Sequence, residues 1–472
     1  MLIGREKEFE TLMEAYKDDR SHFIAIYGRR RIGKTFLVRE TFNYTFTFQH
    51  AGMSEGSLKE QIKAFDASIK DAGQIKVKRS KDWIEAFEHL KDIIRNSSDH
   101  KKVIFIDELS WMDTPKGGFI PALENFWNGW ASGRKDILLI VCSSATSWMI
   151  SKIIHNKGGL YNRLTETIAL KPFNLLQCEE YIKTNGFVFN RDQILNAYMV
   201  FGGVPYYWSL LKKGLSMTQN IDELFFSQDA PLKDEYRYLF SSIFKNEKPY
   251  VEIVKALGGC LSGLTREELI KATGILNSGD LTKKLEELES CGFIRKYQCF
   301  GKKKKDSVYR LIDFYTLFYY HFSKQQITDE NFMSNQINTP AVNTWLGLAF
   351  ERVCFEHIDQ IKRKLGIEGV LTQINSWSCT KDLDNGIFGS QIDLLISRKD
   401  QIINLCEIKY SKAEYTVTNK VHMELENKIH DFKLVSGTRY AIHPTLITCY
   451  GLVENSYSKE IQAVITMDDL YK

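Results

Sequence analysis

The sequence has 472 residues, of which 43% are hydrophobic and 26% are charged, which is long enough for about two to four domains with apolar cores. Its formal net charge of +4 is too small to indicate or to exclude a nucleic-acid partner. The nine cysteines are scattered and form no C-x-x-C pair, which excludes a zinc motif and a disulfide framework.

The amino-terminal region has no feature of a secreted or membrane protein. Charged residues at positions 5 to 8 interrupt it, and no apolar run reaches the length of a membrane span. We therefore expect a cytoplasmic protein with reduced cysteines and no membrane partner. Residues 1–21 contain an apolar pair, then Gly4-Arg5, then an amphipathic stretch that predicts an amino-terminal helix.

The next stretch, HFIAIYGRRRIGKTFLVRE, joins an apolar strand to a helix through the pattern G-x-x-x-x-G-K-T. This is the phosphate-binding loop pattern, in which the glycines let backbone N–H groups approach phosphate oxygens. Lys34 would reach the β- and γ-phosphates of ATP, and Thr35 would offer its hydroxyl to Mg²⁺. The predicted nucleotide-binding residues of the loop are Gly28, Arg29, Arg30, Arg31, Ile32, Gly33, Lys34, Thr35 and Phe36.

A second apolar strand ends in two carboxylates. Residues 103–106 are apolar, and Asp107 and Glu108 follow them directly, which is typical of a buried parallel strand with acids at its carboxyl end. Asp107 is positioned to hold Mg²⁺ through water, and Glu108 to polarise a water for attack on the γ-phosphate.

Two further positions follow in the same alternating pattern of strands and helices. Ser143 and Ser144 end the strand ILLIVCSSA, where they either sense the γ-phosphate or simply cap the strand. Arg163 precedes a last strand, where it is either a surface charge or an arginine finger for a neighbouring subunit in a homo-oligomer. The alternation predicts an α/β fold with a doubly wound parallel sheet, whose ligand crevice lies at the carboxyl ends of the strands.

The motifs GRE, YGRRRIGKT, VIFIDE, CSSATSWM, LYNR and GGVPYY occur in this order. Together they resemble the archaeal and bacterial ATPases of the AAA+/STAND type over roughly residues 1–220. The resemblance implies that Gly4 and Arg5 lie near the adenine, that Ser144 is a sensor, that Arg163 is a finger or sensor arginine, and that Pro205 belongs to a lid. It also implies an ATPase core over 1–173 and a helical lid over 174–246.

The chain departs from the family at two positions. It has Ser143 and Asn162 where the family more often has glycine. We therefore keep a second hypothesis open, a slowly hydrolysing nucleotide-dependent signalling switch.

Residues 247–325 change character. Three short amphipathic helices and a hairpin follow one another in the order of a winged helix, with residues 281–289 as the recognition helix and Lys302 to Lys305 in the wing. The lysines favour DNA phosphates, whereas Glu286, Glu287 and Glu289 would be repelled by DNA. DNA contact and intramolecular packing are equally supported. Residues 326–340 are predicted to be a polar linker.

The last region, 341–472, contains a second set of acids. A hairpin centred on Asp400 would place Asp393 opposite Glu407, with Lys409 on the same face. Two converging carboxylates favour a divalent cation, so Asp393, Glu407 and a helical Glu351 are predicted Mg²⁺ ligands, and Lys409 is predicted to orient water or steady developing charge. A structural ion-pair cluster is the equally supported alternative.

The pattern D-x(13)-E-x-K with an upstream helical glutamate resembles the PD-(D/E)XK nuclease fold. The resemblance implies a restriction-endonuclease-like α/β domain in which DNA is a possible partner. The sequence thus leads to two hypotheses. Either an ATPase acts on DNA and cuts it with a Mg²⁺-dependent site, or a slow switch carries a carboxyl-terminal domain that binds nucleic acid without cutting it.

Overall fold

The structure is a computed structural model that describes residues 2–73, 78–244, 246–260, 262–301, 307–324 and 327–472. Its amino-terminal part is built on five parallel strands in the order β2-β3-β4-β1-β5. The elements are α1 (Glu6–Lys17), β1 (His22–Tyr27), α2 (Lys34–Thr41), β2 (Phe48–Ala51), α3 (Leu58–Asp71), α4 (Trp83–Asn96), β3 (Lys102–Asp107), α5 (Leu109–Met112), α6 (Phe119–Gly129), β4 (Ile137–Ser143), α7 (Thr146–Met149) and β5 (Glu166–Ala169).

The central strands of this sheet are apolar on both faces because helices cover both. Phe23 and Ala25 of β1 join a core with α3, α4 and α6, whereas Ile24 and Ile26 join a core with α1 and α2. Such two-sided burial explains the continuous apolar runs, which period-2 alternation would not produce. The predicted parallel α/β sheet is confirmed, and the phosphate loop, the acid pair and Ser143 all lie at its carboxyl edge.

A helical region follows the sheet. Its elements are α8 (Leu175–Thr184), α9 (Arg191–Phe201), α10 (Pro205–Ser209), α11 (Met217–Phe225) and α12 (Glu235–Ser241). Asn174, Asn190 and Ser216 each start a helix with a capping box, in which a glutamine three residues later returns a bond to the cap backbone. The helical content predicted for 174–246 is therefore present.

The described part of the next region contains four helices and a three-stranded antiparallel sheet in the order β6-β8-β7. Its elements are α13 (Lys248–Gly258), β6 (Leu264–Thr265), α14 (Arg266–Thr273), α15 (Gly279–Ser290), β7 (Ile294–Tyr297), β8 (Val308–Leu311) and α16 (Phe314–Phe318). The predicted wing residues Lys302 to Lys305 lie outside the described residues. The helix predicted to read DNA, α15, packs against α7 of the ATPase core.

The described part of the predicted linker is not free. Residues 327–340 include α17 (Phe332–Gln336), and Met333 is buried. The Met333 and Ser334 N–H groups donate to the Asp222 carboxylate at 2.6 and 3.0 Å. Polar composition predicted a linker here, but an acid from α11 caps the start of this short helix and holds the segment against the lid.

The carboxyl-terminal region has a mixed five-stranded sheet in the order β13-β12-β11-β10-β9. Its elements are α18 (Pro340–Glu356), α19 (Ile358–Lys364), β9 (Thr372–Ser378), β10 (Gln391–Arg398), β11 (Ile402–Lys409), α20 (Asn419–Ser436), β12 (Ala441–Thr448) and β13 (Ala463–Ile465). Strands β10 and β11 are antiparallel with Leu394 opposite Cys406, which is the register expected for a hairpin centred on Asp400.

One hydrophobic core runs from Phe173 to Tyr471 and crosses each predicted boundary between the lid, the third region and the carboxyl-terminal domain. The regions beyond residue 173 therefore pack as a continuous body. Within the described residues, no helix combines the length and apolarity that crossing a bilayer requires.

Candidate nucleotide-binding site

A cavity of about 590 Å³ opens at the carboxyl edge of the parallel sheet. Eleven of the residues predicted to bind or process nucleotide line it, namely Arg5, Arg30, Arg31, Ile32, Gly33, Lys34, Thr35, Phe36, Glu108, Ser144 and Pro205. Sequence reasoning missed Phe173, Tyr181, Asn185 and Tyr206, which also line it. These four come from the region after the sheet, and only Tyr206 lies within one of the motifs, GGVPYY.

The phosphate loop owes its shape to two glycines. Gly28 has φ +143°, and a Cβ there would lie 2.3 Å from the Leu170 carbonyl oxygen, so no side chain fits. Gly33 has φ +91° and immediately precedes α2, where the left-handed backbone favours glycine. The loop therefore presents the start of α2 to the cavity, which is the arrangement that binds phosphate.

Lys34 is almost fully buried and is held by three oxygens. Its Nζ donates to the carbonyls of Gly28 and Arg29 at 2.9 and 3.0 Å and to Ser144 Oγ at 3.1 Å. Burial lowers the pKa of Lys34, partly offset by the nearby carboxylate of Glu108. An anionic ligand in the cavity would compensate the buried ammonium better than neutral oxygens do.

Asp107 and Thr35 meet at the base of the loop. Thr35 Oγ1 donates to Asp107 Oδ2 at 2.6 Å, and the Glu108 N–H donates to Asp107 Oδ1 at 2.9 Å. Burial raises the pKa of the Asp107 carboxyl. A hydroxyl and a carboxylate side by side offer the hard oxygen donors that Mg²⁺ prefers, so these two residues fit the ion.

Glu108 and Ser144 form the second half of the site. Glu108 has φ +45°, a left-handed conformation that is costly for a non-glycine residue and is common at functional sites. Its carboxylate accepts the Ser144 N–H at 3.1 Å and the Ser144 Oγ–H at 2.6 Å. Ser143 turns away and donates to Ser110 Oγ at 3.0 Å. Only the second of the two predicted serines therefore touches the acid.

The arginines of the loop do not all face the cavity. The Arg29 side chain is buried and forms an ion pair with Asp313, so it does not line the cavity as predicted. Arg31 pairs with Glu235 at 2.7 Å, and Arg30 donates to the Tyr238 carbonyl at 3.3 Å. The sequence pattern predicted that all three bind nucleotide, but their side chains contact acceptors from much later in the chain.

The amino-terminal Gly4-Arg5 pair is anchored by backbone contacts. A Cβ on Gly4, which has φ +57°, would lie 2.5 Å from the Gln177 side chain. Arg5 Nη2 donates to the Lys171 carbonyl at 2.7 Å, and the guanidinium lies 4.9 Å from the Phe173 ring centroid. Arg5 lines the cavity, whereas Gly4 does not.

The remaining two predicted positions, Arg163 and Pro205, differ in their relation to the cavity. Arg163 is exposed and does not line the cavity. Pro205 lines the cavity and follows Gly203, where a Cβ would lie 1.7 Å from the Phe173 carbonyl oxygen. The backbone at Gly203 therefore approaches the chain closely at Phe173.

The carboxyl-terminal acids lie in a separate place. Continuing the β10–β11 register puts Asp393 opposite Glu407, and Asp393 Oδ2 accepts the Ile408 N–H at 3.4 Å. Lys409 Nζ contacts Glu407 Oε1 at 2.8 Å, and Lys428 Nζ contacts Oε2 at 2.6 Å. Lys428 is on α20 and was missed, because no sequence spacing connects it to the hairpin.

Glu351 belongs to the same surroundings. Burial, together with the charge of Asp393, raises the pKa of Glu351 to about 7. Among the described residues, three possible metal ligands within 4.8 Å of one another occur at His422, Glu426 and Glu460 and not at the three predicted acids. The predicted acids have the oxygen donors that Mg²⁺ prefers, but Glu407 must release a lysine before it can bind a cation.

A parallel sheet whose carboxyl edge carries a glycine-bounded loop, a buried lysine and an adjacent Asp-Glu pair defines a P-loop ATPase. Residues 2–211 match the family described as "ATPase domain predominantly from Archaea". The chain therefore carries an archaeal-type, ATP-binding ATPase domain.

Three known proteins are similar to this chain in sequence or in fold. An uncharacterized protein of Methanocaldococcus jannaschii is 24% identical over 433 residues, which is 91% of this chain and 92% of the relative. An uncharacterized ATP-binding protein of the same organism is 38% identical over 40 residues, which is 8% of this chain and 68% of the relative. The solved Walker-type ATPase PABY2304 of Pyrococcus abyssi has a similar fold, with a TM-score of 0.51 and 17% identity over 68% of this chain and 96% of that one.

Proposed function

We propose that the chain hydrolyses ATP at the cavity of the parallel sheet, with Glu108 as the base that activates water and Asp107 and Thr35 as the holders of Mg²⁺. The observation that carries the proposal is the junction of Lys34, Ser144 and Glu108 within direct hydrogen-bond distances. It joins the residue that would bind the γ-phosphate to the residue that would deprotonate water.

The residues divide the chemistry among them. Lys34 exchanges its carbonyl partners for β- and γ-phosphate oxygens and neutralises their charge. Glu108 takes the proton of the attacking water, and Ser144 fixes the Glu108 carboxylate by donating to it. A bound Mg²⁺ would supply electrostatic stabilisation of charge on the phosphates.

The test separates binding from turnover. Glu108→Gln preserves the side-chain shape and removes the basic oxygen, so we expect ATP to bind within about threefold of wild type while the rate of phosphate release falls by two orders of magnitude or more. Calorimetry with ATP and a phosphate-release assay measure the two quantities. Normal hydrolysis by Glu108→Gln would show that another residue is the base.

A second function is favoured by the Asp393–Glu407 pair, namely Mg²⁺-dependent cleavage of a DNA phosphodiester. Asp393, Glu407 and Glu351 would hold the ion, and Lys409 would steady the developing charge. Cleavage of a panel of DNA substrates with Mg²⁺ by wild type, and its loss in Asp393→Ala, tests this. If wild type cuts nothing, the carboxyl-terminal domain is better described as the binding part of a slow switch.

The third region is proposed to be a winged helix that serves as an intramolecular module. Its would-be reading helix α15 packs against α7, and Tyr250 donates to Glu287 of that helix. Glu286 and Glu289 remain exposed, where they disfavour DNA. If wild type binds DNA and a variant that lacks the carboxyl-terminal acids binds it equally well, this intramolecular role is contradicted.

Arg163 is proposed to act between subunits. It is exposed and does not line its own cavity, so we propose that it contributes to hydrolysis by entering the nucleotide site of a second copy. Specific activity should then rise with protein concentration. A constant specific activity across a wide dilution range would argue against a homo-oligomer of this kind.

A further inference from the structure

A buried ion pair joins the phosphate loop to the region that follows the three-stranded sheet. Arg29 Nη1 donates to Asp313 Oδ1, and the two side chains are 6% and 2% exposed. The residues lie 284 positions apart in the chain. The pair therefore links the two parts of the protein at a site closed to water.

Asp313 is held rigidly from its own side. It caps α16, and its Oδ2 accepts the Thr316 N–H at 3.1 Å and the Thr316 hydroxyl. Both carboxylate oxygens are thus engaged, one by α16 and one by Arg29. Because α16 belongs to the continuous core, a shift of that core moves Asp313 and, through the ion pair with Arg29, the phosphate loop.

Asp313 is the acid that Arg29 contacts directly, and Glu235 is a second acid near enough to interact with its charge. In the described part of the chain the Arg29 Nε and Nη2 atoms have no hydrogen-bond partner, and the Arg29 guanidinium lies 5.1 Å from the Phe293 ring centroid. A buried cation loses most of its charge compensation when the acid that it contacts directly is neutralised. The loop conformation at Arg29 is therefore sensitive to Asp313.

The backbone of Arg29 reaches the reacting end of the site. Its carbonyl accepts from Lys34 Nζ at 3.0 Å, Lys34 donates to Ser144 Oγ at 3.1 Å, and Ser144 donates to Glu108 at 2.6 Å. An unbroken series of polar contacts therefore runs from Asp313 to the proposed base.

We propose that Asp313 is a positioning residue of the ATP site, which fixes the phosphate loop through Arg29 and couples nucleotide binding to the region around β7, β8 and α16. The inference rests on the proposed ATP hydrolysis at this cavity. ATP phosphates draw Lys34 away from the Arg29 carbonyl, so nucleotide binding changes the interaction between Arg29 and Asp313. By thermodynamic reciprocity, the state of the ion pair changes nucleotide affinity.

A second contact of the same kind lies beside the first. Arg31 Nη2 pairs with Glu235 Oε2 at 2.7 Å, and Glu235 is a buried acid at the start of α12. The Arg31 guanidinium also lies 4.0 Å from the Tyr206 ring centroid. Two arginines of one phosphate loop are thus bound to two acids from later regions, which is more than a single packing contact requires.

The test compares Asp313→Asn, Arg29→Met and the double variant Arg29→Met/Asp313→Asn. The matched control is Asp234→Asn, which removes the acid of an exposed pair with Arg237 in the same part of the chain. We expect kcat/KM for ATP to fall about tenfold in each single variant and no further in the double variant, because both changes remove one interaction. The control should retain wild-type kinetics.

Hydrogen exchange provides a measurement that a merely structural role would not alter. In wild type, a non-hydrolysable ATP analogue with Mg²⁺ should change the exchange of amides in 293–297 and 308–318 at least twofold. The double variant, which carries no unpaired buried charge, should bind the analogue without that change. It also keeps the test possible if Asp313→Asn does not fold.

The outcomes separate this inference from the proposed function. If the wild type neither binds nor hydrolyses ATP, both fail. If wild type hydrolyses ATP and Asp313→Asn has the same kcat and KM, only the coupling through Asp313 is overturned. An unchanged exchange response in the double variant, or single effects that multiply, overturns it as well.

Discussion

Two clusters of lysine and acidic side chains differ in how their charges are compensated. The first contains Lys34, Asp107 and Glu108, and the second contains Asp393, Glu407 and Lys409. At the first, Asp107 is bonded to a hydroxyl and a backbone N–H, and Lys34 to neutral carbonyls. At the second, both oxygens of Glu407 are already taken by lysines. Charges at the first cluster remain available for a ligand and its metal, whereas those at the second already compensate one another.

The physical reason is where each lysine lies relative to its acid. Lys34 starts the helix after the phosphate loop, and its ammonium donates to loop carbonyls instead of to the acids. Lys409 lies two residues after Glu407 on the same strand face, where direct contact is unavoidable. The comparison predicts that a charged ligand binds more favourably at the first cluster than at the second.

The largest expected effect is on nucleotide affinity. Lys34→Ala removes a buried ammonium that lines the cavity, so the dissociation constant for ATP should rise by roughly a hundredfold or more. Lys409→Ala, measured by the same calorimetric titration, is the matched control and should stay within about twofold of wild type. Equal losses of ATP affinity in both variants would contradict the proposed difference between the two clusters.

The next effect is on stability without nucleotide or divalent ions. Glu407→Gln leaves two lysines without their acid and should lower the free energy of unfolding by about 2 kcal/mol, discounted because both lysines are partly exposed. Asp107→Asn removes a buried carboxylate that no cation compensates directly, so it should change stability by less than about 1 kcal/mol. Chemical denaturation measures both, and the opposite ranking would contradict the argument.

A smaller effect is expected on cation binding at the second cluster. Lys428→Met frees Glu407 Oε2, so Mn²⁺ affinity there should rise about tenfold. The titration is made in an Asp107→Asn background to silence the first site. Lys420→Met, which changes an exposed lysine on the same helix, should have no effect. If Lys428→Met weakens Mn²⁺ binding, the lysine assists the ion instead of competing with it.

The smallest effect is a dependence of stability on pH. The pKa of Glu351 in the folded chain is about 7, above its ordinary value, because of burial and Asp393. The folded state therefore holds this proton more tightly, and the stability it contributes is present below the unfolded pKa and is lost as pH rises toward 7. Relative to Glu351→Gln, wild type should lose about 1 kcal/mol between pH 5 and pH 7. Parallel stability curves for the two proteins would show that Glu351 does not titrate there.

Predictions from sequence succeeded where local pattern determines structure. The glycine-bounded loop, the Asp107-Glu108 strand end and the hairpin register about Asp400 follow from turn chemistry and strand periodicity, and the structure has each of them. Arg29 failed as a cavity residue because a run of arginines beside a phosphate loop does not reveal which one meets a distant acid. The linker prediction failed because polar composition does not show that Asp222 caps α17.

The sequence by itself determined the phosphate loop, the acids at the carboxyl edge of a parallel sheet and the facing of Asp393 and Glu407, because these depend on neighbours within one or two elements. Only the tertiary structure decided that Asp313 and Glu235 bind the loop arginines and that Lys428 compensates Glu407. Those pairs join residues whose separation in the chain carries no periodic signal. Burial in a shared core brings them together, and the need to compensate charge there selects the partners.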